Sequence, residues 1–366
     1  MADIDQAARH PAATDQAARD LTATGQAASS PVANEAGGRG ATRRVFLTAS
    51  ALLGAAGLTL AHSARAEPEP RGARPTQPPA DVAVRPRAFK ISLAQWSLHR
   101  ELLASRLDPL DFAKVANGFG IDAVEYVSQF YRGKLANKAF LAELKRRAAG
   151  EGVWSLLIRV DGEGDLGAPT PKARRRAVDS YKKWVDAAAF LGCHSIRVSA
   201  SSAAGGRRSE DDQANWVSDG LRRLAEFSDA RGINVLVENQ GGLSSKGSWL
   251  SEVLNAVQHP RCGSLPDFGG FDSAEGESYD RYKGVRELMP FARAVSARSY
   301  DFDARGDETK INYGQMLEIV TGAGYHGYVS IAYDGERLSE RAGIERTKSL
   351  LERVREQLGA RTDHRG

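Results

Sequence analysis

The sequence predicts a single (β/α)8 barrel, and three observations carry that prediction. From Phe89 to about Leu358, short apolar runs alternate with longer amphipathic ones, strand then helix, about eight times over. Several of the amphipathic stretches stop at glycine, as at Gly120, Gly152, Gly192, Gly232 and Gly324, where a helix end favours a residue free to turn left-handed. The residues at or just past the short runs are carboxylates, amides and arginines, whereas those before the runs are mostly small or apolar. A doubly wound sheet is the rival architecture, but it rarely keeps eight units at such even spacing.

In chain order, the strand-like runs are Lys90–Trp96, Ala123–Val127, Trp154–Val160, Ser195–Ser199, Asn234–Glu238, Gly263–Pro266, Ala292–Ala297 and Tyr328–Tyr333. Each is short, rich in Val, Leu, Ile or Ala, and of the kind that a parallel sheet buries on both faces. Between and after them lie the helical patterns Pro109–Phe119, Asn137–Gly150, Pro171–Leu191, Glu210–Arg231, Lys246–Val257, Tyr279–Met289, Tyr313–Ala323 and Ser339–Gln357. The barrel therefore spans residues 89–358, with 359–366 as a disordered tail.

The chain ahead of the barrel divides into three. Residues 1–40 are Ala-rich and polar, repeat Asp-Gln-Ala-Ala-Arg at Asp5–Arg9 and Asp15–Arg19, and hold too few large apolar side chains to bury a core. They read as a disordered extension, or as the product of a start assigned too far upstream. Residues 41–66 run from Arg43-Arg44 with Phe46 and Leu47, through the apolar stretch Ala49–Ala61, to the small-x-small site Ala64-Arg65-Ala66. This resembles a twin-arginine export signal, and cleavage after Ala66 would leave a mature chain beginning at Glu67. A membrane anchor is the alternative, but the run is short and rich in Gly and Ala, so no stable span is expected after cleavage. Residues 67–88, rich in Pro, Arg and Gly, form a linker. The expected location is periplasmic or secreted, with the export machinery as a partner.

Composition narrows the function classes. Of 366 residues, 42% are hydrophobic and 26% charged, as in a soluble globular protein. The net charge of +4 is spread along helical stretches, so no nucleic-acid surface is expected. The two cysteines, Cys193 and Cys262, cannot make a disulfide framework and read as buried thiols at strand starts.

Ligands of parallel α/β folds bind past the carboxyl ends of the strands. There the sequence places Gln95, Trp96 and His99 after strand one, Glu125 on strand two, and Asp161, Glu163 and Asp165 after strand three. Arg197 and Ser199 follow on strand four, Glu238, Asn239 and Gln240 on strand five, and Asp267 on strand six. Arg298, Tyr300 and Asp301 belong to strand seven, and Asp334 and Glu336 to strand eight. Carboxylates so crowded must be protonated, paired or metal-bound. Two arrangements satisfy that need: an ion-pair network with Arg197 and Arg298, or a divalent cation held by Glu238 and Asp267. Asp161–Asp165 has the opening of a calcium loop but lacks its later Glu and its flanking helices. His99 could equally cap the first helix or pack on Trp96.

From Phe89 to Leu358 the chain resembles the xylose-isomerase-like TIM barrels, the sugar phosphate isomerase/epimerase group. The resemblance is carried by Ile91–His99, Val237–Ser245, Leu265–Phe271, Ala294–Phe302 and Gly324–Gly335. It implies a divalent metal (Mn, Mg, Co or Zn) held by Glu, Asp, His and Glu from strands five to eight, and proton transfer beside a sugar carbonyl. Position by position, Glu238 and Asp267 match the first two ligands. The His position falls at Ser296 and the second Glu position at Ala332, neither of which replaces the lost ligand. Many relatives also have His at Gln240, Asn at Gly270 and Lys at Arg298, and arginine clamps anions better than it moves protons.

The expected function is thus an exported isomerase- or epimerase-like enzyme acting on a carbohydrate or polyol. Glu238, Arg197 and Arg298 are its candidate catalytic groups. Trp96, His99, Glu163, Asn239, Gln240 and Tyr300 would bind substrate, and Glu238 and Asp267 would bind the metal. A lyase or hydrolase acting on an oxidised sugar or glycoside is one alternative. A degenerate barrel that only binds carbohydrate is the other.

Overall fold

The computed structural model describes residues 88–200, 208–272 and 278–363. Contacts divide the chain into Met1–Gln77 and Pro78–Gly366, and every described residue belongs to the second unit. The predicted extension, the export signal and nearly all of the linker lie outside the described residues.

Eight parallel strands form one sheet: β1 (Lys90–Ala94), β2 (Ala123–Val127), β3 (Trp154–Arg159), β4 (Ser195–Ser199), β5 (Asn234–Glu238), β6 (Cys262–Leu265), β7 (Val295–Ser299) and β8 (Tyr328–Tyr333). Their order is β6-β5-β4-β3-β2-β1-β8-β7. The remaining gap is bridged through Ser264–Ala292 and Asp267–Ser296. There Ser296 N donates to Pro266 O at 2.9 Å and Phe268 N donates to Ser296 O at 3.0 Å. The predicted (β/α)8 barrel is therefore the observed architecture.

The helices that follow the strands are α1 (Phe112–Gly118), α2 (Lys138–Gly150), α3 (Pro171–Leu191), α4 (Glu210–Asp229), α5 (Gly247–Val257), α6 (Arg281–Leu288), α7 (Tyr313–Gly322) and α8 (Glu340–Asp363). Their ends follow from local chemistry. Thr170 Oγ1 accepts from Ala173 N and Pro171 needs no donor at the start of α3, while Gly192, at φ 84°, closes it. Asn137, Ser209, Asp280 and Asn312 cap α2, α4, α6 and α7 in the same way. α8 continues past Leu358 to Asp363, so the barrel's last element reaches into the predicted tail.

Strand alternation sorts the side chains into two cores. Val235 and Val237 of β5 face outward and join the large cluster between sheet and helices, with Ile196, Val198, Val295, Val329 and Ile331. Leu236 points inward and meets Leu157, Leu265 and Ala294 in a separate cluster inside the barrel. β1 is shorter than expected: after Ala94 the chain turns into the 3-10 segment Gln95–Leu98, because Gln95 Oε1 accepts from Val127 N and its Nε2 donates to Tyr131 Oη. The cysteines stand where predicted, Cys193 buried just before β4 and Cys262 opening β6. Burial pushes both thiols up, Cys262 to about 12.

Candidate functional site

Two residues beyond each member of the inner apolar cluster, the side chain becomes ionic or polar. Arg159 follows Leu157, Glu238 follows Leu236, Asp267 follows Leu265, and Ser296 then Arg298 follow Ala294. The alternation that points the leucines inward points these side chains inward as well. They form one network. Arg159 Nη1 donates to Glu238 Oε1 at 2.8 Å and Arg159 Nε to Glu125 Oε2 at 3.0 Å. Arg197 Nε lies 2.7 Å from Glu238 Oε2, a charge contact without hydrogen-bond alignment, and Arg197 Nη1 donates to Asp161 Oδ1 at 2.6 Å. Arg298 Nε donates to Asp267 Oδ1 and its Nη1 to Asp334 Oδ2, both at 2.9 Å. Ser296 Oγ donates to Asp267 Oδ2 at 2.6 Å.

The two glutamates that share Arg159 are driven in opposite directions. Burial raises Glu125, and its one guanidinium neighbour does not offset that. Burial also works against the charge of Glu238, which is 1% exposed, but Arg159, Arg197 and Arg298 outweigh it and hold the carboxyl at about 2. Such a group is a weak base at neutral pH. Arg298 stays charged. Desolvation would lower it, yet Asp267, Tyr300, Asp334 and Glu238 together keep it well above its ordinary value.

Above this layer the groups open to solvent. The Asp161 side chain is 46% exposed and that of Asp334 28%. Trp96 Nε1 donates to Asp334 Oδ1 at 3.3 Å. One face of Trp96 is covered by His99, stacked at 4.7 Å, so the packing alternative for His99 is the observed one. His99 Nδ1 faces two acceptors, Trp96 O at 2.8 Å and Glu340 Oε1 at 3.4 Å, which places its proton on Nδ1. Tyr300 has Lys310 Nζ 4.6 Å from its ring centre, and burial pushes its hydroxyl up to about 12.

Of the predicted site residues, Glu238, Asp267, Arg197, Arg298, Trp96 and Tyr300 are brought to the mouth of the barrel. Asn239 is buried beneath it: its Oδ1 accepts from Asp267 N at 2.7 Å and its Nδ2 donates to Asp267 O at 3.0 Å, fixing the ligand-bearing backbone. That clasp requires Gly270, where a Cβ would stand 1.8 Å from Asn239 O. Gln240 is exposed and contributes its backbone N to Ser244 Oγ. Glu163 turns away from the site. Its carboxylate accepts from Trp184 Nε1 at 2.8 Å and pairs with Lys183 at 2.7 Å, both on α3, because Gly162 and Gly164 swing the loop outward at φ 75° and 100°. Glu163, expected to bind substrate, is thus placed against α3 and not in the network at the mouth. Arg159 was not expected. Its signal is a lone arginine two positions beyond an inward leucine in an otherwise apolar strand.

The donors present do not suit a divalent cation. Among the described residues, no three His, Cys, Asp or Glu side chains are grouped as a metal-holding set. Glu238 and Asp267 converge on guanidinium groups, and Asp267 also accepts from Gly269 N at 2.8 Å. Ala332, buried on β8, adds no ligand atom.

Comparison with solved structures shows the fold. A D-psicose 3-epimerase from Clostridium cellulolyticum H10 superposes with a TM-score of 0.58 at 14% identity, over 73% of this chain and 98% of that one. A 3-keto-D-glucoside 4-epimerase from E. coli gives 0.56 at 17% identity, over 73% and 99%. A sugar phosphate isomerase/epimerase from Parabacteroides distasonis gives 0.57 at 16%, over 74% and 96%. A search of curated protein sequences found no match. The family profile for xylose isomerase-like TIM barrels matches residues 113–356, from the first turn of α1 into α8. On that match the chain belongs to the xylose isomerase-like TIM barrel family.

Proposed function

We propose that this protein is an exported carbohydrate isomerase or epimerase that moves a proton beside a sugar carbonyl at the mouth of the barrel. One observation carries the reading: Arg197 pairs with the reachable carboxylate Asp161, and Arg298 pairs with the reachable carboxylate Asp334, which also accepts from Trp96. Guanidinium groups held in place by buried carboxylates can receive the negative charge that develops on a carbonyl oxygen. Proton transfer then falls to Asp334 and Asp161, and Glu238 serves as the charge that fixes three arginines rather than as the base. The sugar-epimerase neighbours support the substrate class.

The charge balance favours a neutral sugar. Arg159, Arg197 and Arg298 are matched by Glu125, Glu238, Asp267, Asp161 and Asp334, so no spare positive charge awaits a phosphate or a carboxylate. Export supports the same choice, since phosphorylated intermediates are mostly cytoplasmic. The Arg43-Arg44 pair and Ala64-Arg65-Ala66 support the twin-arginine route, and sequencing the secreted protein should find Glu67 at its N-terminus.

The reaction is tested by incubating the protein with neutral ketoses and aldoses in D2O and following the carbon next to the carbonyl by NMR. Deuterium should enter one sugar, and Asp334→Asn should slow its entry by about 100-fold. A second reading, carbohydrate binding without turnover, is favoured by the low pKa of Glu238, which leaves this buried carboxylate without basic strength. A sugar that binds in calorimetry yet never exchanges would establish it. An eliminated or hydrolysed product would instead point to the lyase or hydrolase variant.

A further inference from the structure

The two carboxylates that match the family's metal-holding positions do share a cation, and that cation is a side chain. Arg298 reaches across the end of β6. Its Nε donates to Asp267 Oδ1 at 2.9 Å, its Nη1 donates to Asp334 Oδ2 at 2.9 Å, and its Nη2 stands 3.9 Å from Glu238 Oε1. The geometry points to Arg298 as a tethered cation that fills the place of a divalent metal, so that this barrel carries its positive charge covalently and binds no exchangeable ion there.

Three further observations support it. Arg298 pairs in register with Ala332, the position where the resemblance expects the second ligand glutamate, so that position offers no carboxylate to a metal. Gly269 makes room for it: a Cβ at that position would lie 2.6 Å from Arg298 Cδ and 2.5 Å from Tyr300 Oη. Both oxygens of Asp267 are already engaged, since Ser296 Oγ, at the expected histidine position, donates to Oδ2 and Gly269 N shares Oδ1 with Arg298. All of these features are present together. A guanidinium is also a cation that neutral or mildly basic pH does not discharge. The inference concerns which cation occupies the site, and it stands whether or not a sugar is turned over.

Calorimetric titration of the full-length protein with MnCl2 at neutral pH and low salt tests it. The wild-type protein should show no saturable binding with a Kd tighter than about 1 mM. Arg298→Ala leaves Asp267 and Asp334 without their shared cation while Glu238 keeps Arg159 and Arg197, and should bind Mn2+ at least about tenfold more tightly, with the gain abolished by a further Asp267→Asn. Arg298→Gln, which keeps a hydrogen-bond donor and removes only the charge, provides the same test should the alanine variant fail to fold. Arg298→Lys should show no gain. Two results would overturn the inference: one Mn2+ bound per wild-type chain and lost in Asp267→Asn, or folded Arg298→Ala and Arg298→Gln proteins with no gain in affinity.

Discussion

One turn of alternation along the same strands separates two very different halves of the barrel interior. In the lower half, Leu157, Leu236, Leu265 and Ala294 fill the space with apolar atoms. In the upper half, Arg159, Glu238, Asp267 and Arg298 fill it with buried charges paired with one another. The lower arrangement stabilises by removing apolar area from water. The upper one must first strip water from each ion, and a buried ion network is often no more stabilising than apolar residues of the same volume. A chain that needed only a filled barrel would gain nothing by abandoning leucine for arginine at these positions. The difference teaches that packing alone does not account for the upper layer, whereas it does account for the lower one.

The largest effect that can break this comparison is expected from Arg159. Arg159→Ala leaves Glu125 and Glu238 buried without their common partner and should cost about 3–5 kcal/mol in urea unfolding. Leu157→Ala, two residues earlier on β3, should cost about 3 kcal/mol from cavity formation. The two variants should part company in ligand binding, which Leu157→Ala retains and Arg159→Ala loses. A cost below about 1 kcal/mol for Arg159→Ala would show that the network does not hold the upper layer together.

A smaller effect should appear with pH. Glu238 is held at about 2 when folded and returns toward 4.5 when unfolded. A carboxyl lowered by folding contributes stability above its unfolded value and loses it as pH falls through the folded one, so the window runs from 4.5 down to about 2. The Glu238 contribution is on the order of 3 kcal/mol. Glu125 works in the opposite sense: raised by folding, it favours the folded state at low pH and withdraws that support as pH rises through its folded value. Glu238→Gln should therefore flatten the acid limb of the stability curve, as measured by thermal unfolding from pH 5 to 2. An acid limb identical to that of the wild-type protein would assign the loss to other carboxylates.

Much of this was legible in the sequence, for identifiable reasons. Each strand is a compact run and most of the helices have a capping residue or a glycine stop, so the eight units can be counted without tertiary information. The ends of β5, β6 and β7 announce themselves because Glu238, Asp267 and Arg298 interrupt such runs. Arg159 is less visible: it lies inside the run Trp154–Val160, and only the inward direction of Leu157 shows where it points. The choice between metal and ion pairs was not legible either, because it depends on the reach of Arg298 across β6 and on the space left at Gly269. Loop direction was the remaining gap. Asp161 and Glu163 are two residues apart, yet one faces Arg197 and the other faces α3.

That last pair supplies the smallest predicted effect and the sharpest control on where the site ends. Glu163 Oε1 accepts from Trp184 Nε1, and a glutamine at this position keeps an oxygen for that bond. Only the pairing with Lys183 is lost, and the lysine side chain is 53% exposed, so solvent screens the interaction. Glu163→Gln should change stability by less than about 1 kcal/mol and leave carbohydrate affinity and exchange rate unaltered. Asp161→Asn alters the partner of Arg197 and should weaken both. Should Glu163→Gln reduce affinity tenfold or more, the loop between β3 and α3 must close inward over the ligand, and the boundary drawn at Gly162 would move outward to include α3.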